Sequence, residues 1–141
     1  MSHPEILLDT NVLIYAIDTQ SQFYERSRDF VFGREGEPAI TSISLSEAYS
    51  VLTRKQGYGL PATQADEIIQ WYRARIPVLY PNKLSSDWLH YLVKSYSPKG
   101  HTIYDMEIAA IGLANQIQTI ATKNEKDFRM IREVEVVSIN N

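Results

Sequence analysis

The pattern of apolar and polar positions along the chain predicts short strands separated by helices. Five short runs rich in β-branched residues are candidate strands, at 6–8, 39–43, 78–80, 119–121 and 134–138. Helical spacing of apolar residues predicts helices at 12–16, 22–32, 45–55, 62–75, 86–95 and 103–116, with a short helical turn at 126–130. Strands separated by helices are joined by crossover connections, so we expect an α/β fold with a mostly parallel sheet and helices on both faces.

The composition is typical of a soluble globular protein. The chain has 141 residues, 44% hydrophobic and 22% charged, with no repeat or long linker, and we expect one domain over residues 1–141. It has no cysteine, which excludes disulfides, thiolate zinc sites and a cysteine nucleophile. No apolar run approaches the ~20 residues of a membrane helix, and no secretion signal is recognisable, so we expect a cytoplasmic protein.

The net charge of −3 argues against a protein that holds duplex nucleic acid by broad electrostatic attraction. It does not exclude a nuclease, because an acidic site that has bound metal cations attracts phosphate.

Two acidic residues follow the first two predicted strands, and each has a structural interpretation beside a functional one. Asp9 lies at the carboxyl end of the first strand, where ligands bind in open parallel sheets, but Asp9 or Asn11 could simply cap the next helix. Glu47 follows the second strand, but Ser44 and Glu47 have the spacing of a capping box. Neither residue alone indicates a site.

Asp105 has the stronger functional signal. It shares a helical face with Ile108, Ala109 and Gly112, which are apolar or small, whereas Glu107 points elsewhere and is typical of a solvated residue. A carboxylate on a face that packs inward is costly unless it is paired or bound to metal. We therefore expect Asp105 to belong to a site.

A fourth polar group follows the fourth predicted strand and contains Thr122, Asn124 and Asp127. The structural alternative is that Asn124 caps the short helical turn and Asp127 is a solvated charge. Acids that gather at one edge of a sheet repel each other unless cations lie between them. The four acids together therefore predict a site for Mg²⁺ or Mn²⁺, which prefer oxygen ligands.

Four segments in this order resemble the PIN-domain family, and most closely its VapC-like toxin ribonucleases. The segments are "LLDTNVLIYA", "SISLSEAYSVL", "YDMEIAAIGLA" and "ATKNEKDF". The resemblance implies a three-layer sandwich with a central sheet of four or five strands. It also implies frequent homodimers and an antitoxin partner, encoded beside the toxin, whose segment enters the active-site groove.

The resemblance also assigns roles to individual residues. The metal-binding and catalytic acids would be Asp9, Glu47, Asp105 and Asp127. The supporting residues would be Thr10, Asn11, Thr122 and Asn124. Some relatives have a carboxylate at or near the position of Asn124, which leaves the choice between Asn124 and Asp127 open.

The function that follows is metal-dependent hydrolysis of RNA by the toxin of a toxin-antitoxin pair, with one or two divalent ions lowering the pKa of a bound water. The main alternative is a PIN-like module that binds RNA or a protein without cutting. A phosphatase or receiver-like domain using Asp9 has less support, because Asn11 stands where such a phosphatase has its second acid. The basic residues that could guide RNA are Arg54, Lys55, Lys99 and Lys123, although each is individually more typical of a solvated surface.

Overall fold

The computed structural model describes residues 3–140, so both ends of the predicted 1–141 domain lie outside the described residues. Its strands are β1 (Ile6–Leu8), β2 (Pro38–Thr41), β3 (Val78–Leu79), β4 (Thr119–Thr122) and β5 (Glu135–Ser138). Its helices are α1 (Thr10–Tyr15), α2 (Tyr24–Val31), α3 (Ser42–Thr53), α4 (Ala62–Arg75), α5 (Lys83–Tyr96), α6 (Thr102–Ala114) and α7 (Glu125–Arg129).

The five strands form one parallel sheet in the order β3-β2-β1-β4-β5. The central strand β1 pairs with β2 through Ile6 and Pro38, and with β4 through Leu7 and Ile120. The chain therefore builds one side of the sheet through β2 and β3 and then returns to the other side of β1. In such sheets the crevice at the carboxyl ends of the strands, where the order reverses, is the usual ligand site.

The sheet is covered on both faces because successive strand residues point in opposite directions. Leu8 packs into one apolar cluster with residues of α1, α2, α3 and α4, such as Leu13 and Leu52. Leu7 packs into a second cluster with residues of α5, α6 and α7, such as Leu92 and Phe128. This confirms the predicted three-layer α/β sandwich, and every strand pair is parallel.

The elements lie where the pattern predicts them, with small shifts at their ends. The largest shifts are at the starts of α3 and α5, and α3 begins at Ser42 rather than at residue 45. The Thr41 side chain accepts a hydrogen bond from the Ser44 N–H at 3.2 Å and so caps α3 directly at the end of β2. Helix α5 likewise begins earlier than predicted, because Asn82 and Ser85 form a capping box.

Close packing of α6 against the central strand depends on Gly112. A Cβ atom at this position would lie 3.1 Å from Leu7 Cδ2 and 3.2 Å from the carbonyl oxygen of Ile117. The absence of a side chain thus lets the helix that carries Asp105 approach β1. Within residues 3–140, no helix combines the length and apolar character needed to cross a membrane.

Candidate active site

A cleft of about 270 Å³ lies at the carboxyl ends of the strands and is lined by three of the predicted acids, Asp9, Glu47 and Asp105. Each comes from a different part of the fold. Asp9 directly follows β1, Glu47 lies in α3 after β2, and Asp105 lies in the first turn of α6. The sheet order therefore brings together residues that are far apart in the sequence.

Asp9 is both a helix cap and a cleft residue. It is only 5% exposed, and its Oδ1 accepts the Thr10 N–H at 2.8 Å, which caps α1. Its Oδ2 accepts the Thr122 hydroxyl at 2.8 Å and the Asn11 amide at 3.2 Å. The two interpretations of Asp9 are thus compatible, and the polar neighbours fix the orientation of the carboxylate.

The pKa of Asp9 is raised to about 6, mainly by burial and also by the nearby charges of Glu47 and Asp127, while the hydrogen bonds from Thr122 and Thr10 oppose the increase. A buried carboxylate disfavours its charged form because water no longer solvates it. Asp9 is therefore held in a site where a positive charge would be strongly favoured.

Glu47 does not form the predicted capping box. The cap of α3 is Thr41, and the Glu47 carboxylate instead accepts the Thr10 hydroxyl at 2.5 Å, across to α1. The capping interpretation is wrong because α3 starts at Ser42, which places Ser44 inside the helix rather than at its N-cap position. The side chain is exposed and lines the cleft.

Asp105 is half-buried, and Ile108 and Ala109 on the same helical face are buried, as its spacing predicts. The pKa of Asp105 is raised to about 7, mainly by burial and also by the charges of Asp9, Asp127 and Glu47. Glu107 is also half-buried, although it was expected to be solvated, and it does not line the cleft. Asp105 is therefore the acid of this helix that shares the cleft with the others.

The segment after β4 contributes Asn124 to the cleft, while Asp127 lies beside it in the adjoining pocket around α7. Asn124 occupies the N-cap position of α7, but its side chain makes no capping hydrogen bond. Thr122 accepts the Asn124 N–H at 3.0 Å, and Asn11 accepts the Lys123 N–H at 3.0 Å. These bonds tie the end of β4 to the start of α1.

The acids influence one another electrostatically without forming a preformed cage. In residues 3–140, no three acidic or histidine side chains are close enough together to hold one metal ion between them. The charges of Glu47 and Asp127 nevertheless raise the pKa of Asp9, and three acids raise that of Asp105. Like charges repel, and a bound cation would remove this repulsion.

The cleft also contains residues without a predicted role, namely Ile14, Tyr15, Val51 and Tyr58. Helical spacing could have indicated the first three. Ile14 and Tyr15 follow Asn11 by three and four residues, and Val51 follows Glu47 by four. Tyr58 lies in a turn, where helical spacing gives no signal.

Comparison with known proteins identifies the family. The PIN domain family model matches residues 6–134. The chain belongs to the PIN domain family. No match was found among curated proteins.

Similar solved structures extend the agreement to the whole fold. VapBC2 from Rickettsia felis, bound to a DNA fragment from its promoter, is 22% identical, with a TM-score of 0.70 and coverage of 94% of this chain and 97% of that one. DNA-bound VapBC from Salmonella typhimurium is 20% identical, with a TM-score of 0.72 and coverage of 96% and 98%. At these identities the PIN fold is shared.

A third structure is that of VapC20 from Mycobacterium tuberculosis, described as a toxin that cleaves the Sarcin-Ricin loop. It is 15% identical, with a TM-score of 0.62 and coverage of 82% of this chain and 87% of that one. This similarity again shows that the fold is shared.

Proposed function

We propose that this PIN domain is a metal-dependent endoribonuclease that acts as the toxin of a toxin-antitoxin pair in the cytoplasm. The observation that carries the proposal is the placement of Asp9, Glu47 and Asp105 in one cleft, with Asp127 beside it. The membership of the PIN family and the similarity to VapC structures support the same reaction.

The donor chemistry of the cleft suits a divalent cation, and metal binding would have to draw the acids of residues 3–140 closer together than they lie in this structure. Their donors are carboxylate, hydroxyl and amide oxygens, which suit hard ions such as Mg²⁺ or Mn²⁺. Asp9, Glu47, Asp105 and Asp127 would hold the metal, which when bound supplies an activated water and neutralises charge on the phosphate. The raised pKa values of Asp9 and Asp105 also support a cation site, because a bound cation would stabilise the charged form of both carboxylates.

The supporting residues orient these acids. Thr122 and Asn11 donate to Oδ2 of Asp9, and the Thr10 hydroxyl donates to Glu47. Such outer partners fix the orientation and basicity of the ligands. Thr10 contributes twice, because its backbone N–H holds Asp9 while its side chain holds Glu47. Asn124 extends the polar lining toward Asp127.

An antitoxin partner is supported by the VapBC complexes among the similar structures. An apolar groove of about 560 Å³ between α1, α2 and α4 offers it a docking surface. Phe32 is 48% exposed there and forms an edge contact with Trp71. The Arg28 guanidinium lies over the Phe32 ring and forms no ion pair with any described residue. We expect the antitoxin to place apolar side chains on these rings.

The direct test is cleavage of a single-stranded oligoribonucleotide by the purified protein. We expect weak cleavage in Mg²⁺ or Mn²⁺, none in excess EDTA, and no cleavage of the DNA strand of the same sequence. A folded protein that binds the RNA but leaves it intact at every metal concentration would instead support the RNA-binding module. Size-exclusion chromatography with light scattering on the same sample tests the predicted homodimer.

A further inference from the structure

The end of α3 and the turn after it form a part of the cleft wall that the metal site does not use. Arg54 and Tyr58 line the cleft from this segment, and Arg54 is the one basic residue in the lining of the described cleft. RNA carries a negative charge at each phosphate, so carboxylates in the cleft would repel it unless positive groups lie nearby. Arg54 is such a group in the lining of the cleft.

Helix geometry explains why Arg54, and not Lys55, reaches the cleft. Glu47, Val51 and Arg54 are spaced by four and seven residues and so share one face of α3. The helix ends at Thr53, and Arg54 has an extended backbone with φ −71° and ψ 148°. The chain turns away at that point, and Lys55 is exposed outside the cleft.

The turn that follows holds the Arg54 stem. The Arg54 carbonyl accepts the N–H groups of Gly57 and Gly59, both at 3.0 Å. A Cβ atom at Gly57 would lie 2.6 Å from the Val51 carbonyl oxygen and 3.2 Å from Arg54 Cγ, so this position admits no side chain without a shift. The turn therefore packs directly against the arginine.

Within residues 3–140, the guanidinium of Arg54 forms no ion pair. The ion pairs among the described residues are Arg26–Glu35, Arg34–Asp29, Lys83–Asp87 and Arg129–Glu125. Arg54 takes part in none of them, although it lines the same cleft as three acids. A free guanidinium presents a planar set of donors that matches a phosphate group.

Tyr58 provides an anchored ring beside this charge. Its hydroxyl donates to Asp18 Oδ2 at 2.7 Å, and Oδ1 of Asp18 accepts the Gln20 N–H at 3.0 Å. The tyrosine thus ties the turn after α3 to the loop after α1, while its side chain remains 39% exposed. Fixed, exposed aromatic rings are platforms on which unpaired bases stack.

We propose that Arg54 and Tyr58 form a nucleotide subsite for single-stranded RNA, in which Arg54 binds a phosphate next to the one that is cleaved and Tyr58 stacks on an adjacent base. This inference rests on the proposed ribonuclease function and names its substrate class. Both residues bind substrate and neither takes part in proton transfer. Gly57 is a positioning residue that acts through Arg54.

The test uses an Asp105→Asn host, which should bind RNA without cutting it, and measures the Kd of a labelled single-stranded oligoribonucleotide at several salt concentrations. Arg54→Ala should weaken binding about fivefold or more and make the slope of log K against log salt shallower by about 0.7, the value for one phosphate contact on a single strand. Arg54→Lys should keep the slope, and the matched control Lys55→Ala should change neither quantity. Tyr58→Leu should weaken binding about fivefold with an unchanged slope, whereas Tyr58→Phe keeps the ring and most of the affinity.

Equal slopes and affinities for Arg54→Ala and Lys55→Ala would overturn the subsite. If Arg54→Ala retains RNA binding but loses antitoxin binding, this part of the cleft wall binds a protein partner, and the RNA subsite is likewise overturned. Failure of the proposed ribonuclease function can be distinguished from failure of the subsite. If the wild type fails to cleave RNA, the ribonuclease proposal fails, whereas cleavage by the wild type with unchanged binding in Arg54→Ala rejects the subsite alone.

Discussion

At the scale of single residues, the site combines buried carboxylates with hydrogen bonds that hold them in place. Asp9 and Asp105 have raised pKa values of about 6 and about 7 because both are desolvated and surrounded by other acids. Such shifts are typical of functional sites. In the metal-free protein, the raised pKa values make the free energy of unfolding depend on pH.

The metal-free protein should lose stability as the pH rises. The pKa values of Asp9 and Asp105 are raised above 3.8, so the native state binds more protons than the unfolded state. Their contribution is fully present below about pH 3.8 and is lost as the pH passes through about 6 and 7. Thermal unfolding in EDTA checks this, and Asp105→Asn should raise Tm relative to the wild type more at pH 8 than at pH 5. An equal change in Tm at both values would contradict the electrostatic account.

Glu47→Gln separates the charge of this residue from its hydrogen bond. Gln can still accept the hydroxyl of Thr10, so the free energy of unfolding should change by less than about 1 kcal/mol. The lost charge should greatly reduce metal affinity and RNA cleavage. Calorimetric Mn²⁺ titration and a cleavage assay on the same sample measure both. Full activity in this variant would leave Glu47 with a structural role only.

At the scale of elements, the sequence predicts the order and type of the helices and strands better than their ends. Thr41 and Ser44 are both favoured N-cap residues in isolation, and Ser is intrinsically the better of the two. The structure selects Thr41 because β2 ends there and packs into the sheet, and this choice frees Glu47 to contact Thr10. Local spacing could not decide between the two caps, since the end of β2 is set by its pairing with neighbouring strands. The part of the cleft wall formed by Tyr58 was not predicted either, because Tyr58 is held there by a hydrogen bond to Asp18, which is distant in the sequence.

Loss of the α3 cap should therefore affect function as well as stability. Thr41→Val removes the oxygen that accepts the Ser44 N–H and should cost about 1 kcal/mol of unfolding free energy. It should also lower the cleavage rate severalfold, because it loosens the helix that places Glu47, and small displacements are costly in catalysis. Asn82→Ala is the matched control.

Asn82 caps α5, which contributes no residue to the described cleft. Loss of this cap in Asn82→Ala should lower the free energy of unfolding by a similar amount but leave the rate of RNA cleavage unchanged. Denaturant unfolding and cleavage kinetics compare the two variants. A similar fall in rate for both would mean that the effect of Thr41→Val is global rather than local.

At the scale of the whole molecule, strand order brings the acids together. The sequence predicts a parallel sheet with acids after its strands, but one sequence does not specify that β1 lies between β2 and β4. Long-range pairing decides this order, and the family resemblance implied a central sheet of four or five strands without their order. The same applies to the groove between α1, α2 and α4, whose rings come from separate helices.

A change in that groove should separate inhibition from catalysis. Phe32→Glu places a charge on the exposed apolar surface and should weaken binding of the antitoxin at least tenfold, while RNA cleavage by the free protein stays unchanged. Phe32 does not line the acidic cleft, which is why the two effects should be independent. Antitoxin titration into the cleavage assay measures both. Unchanged inhibition would exclude this groove as the docking surface.

The central claim is that clustered carboxylates bind a divalent ion to cleave RNA, and the rate of oligoribonucleotide cleavage across a Mn²⁺ titration tests it most directly. The wild type and the control Glu107→Gln, whose side chain lies outside the cleft, should show the same saturable rate, with none in EDTA. Asp105→Asn should remain folded and show a rate at least about a hundredfold lower. A wild-type rate that does not depend on Mn²⁺, or an Asp105→Asn rate equal to that of the wild type, would contradict the account.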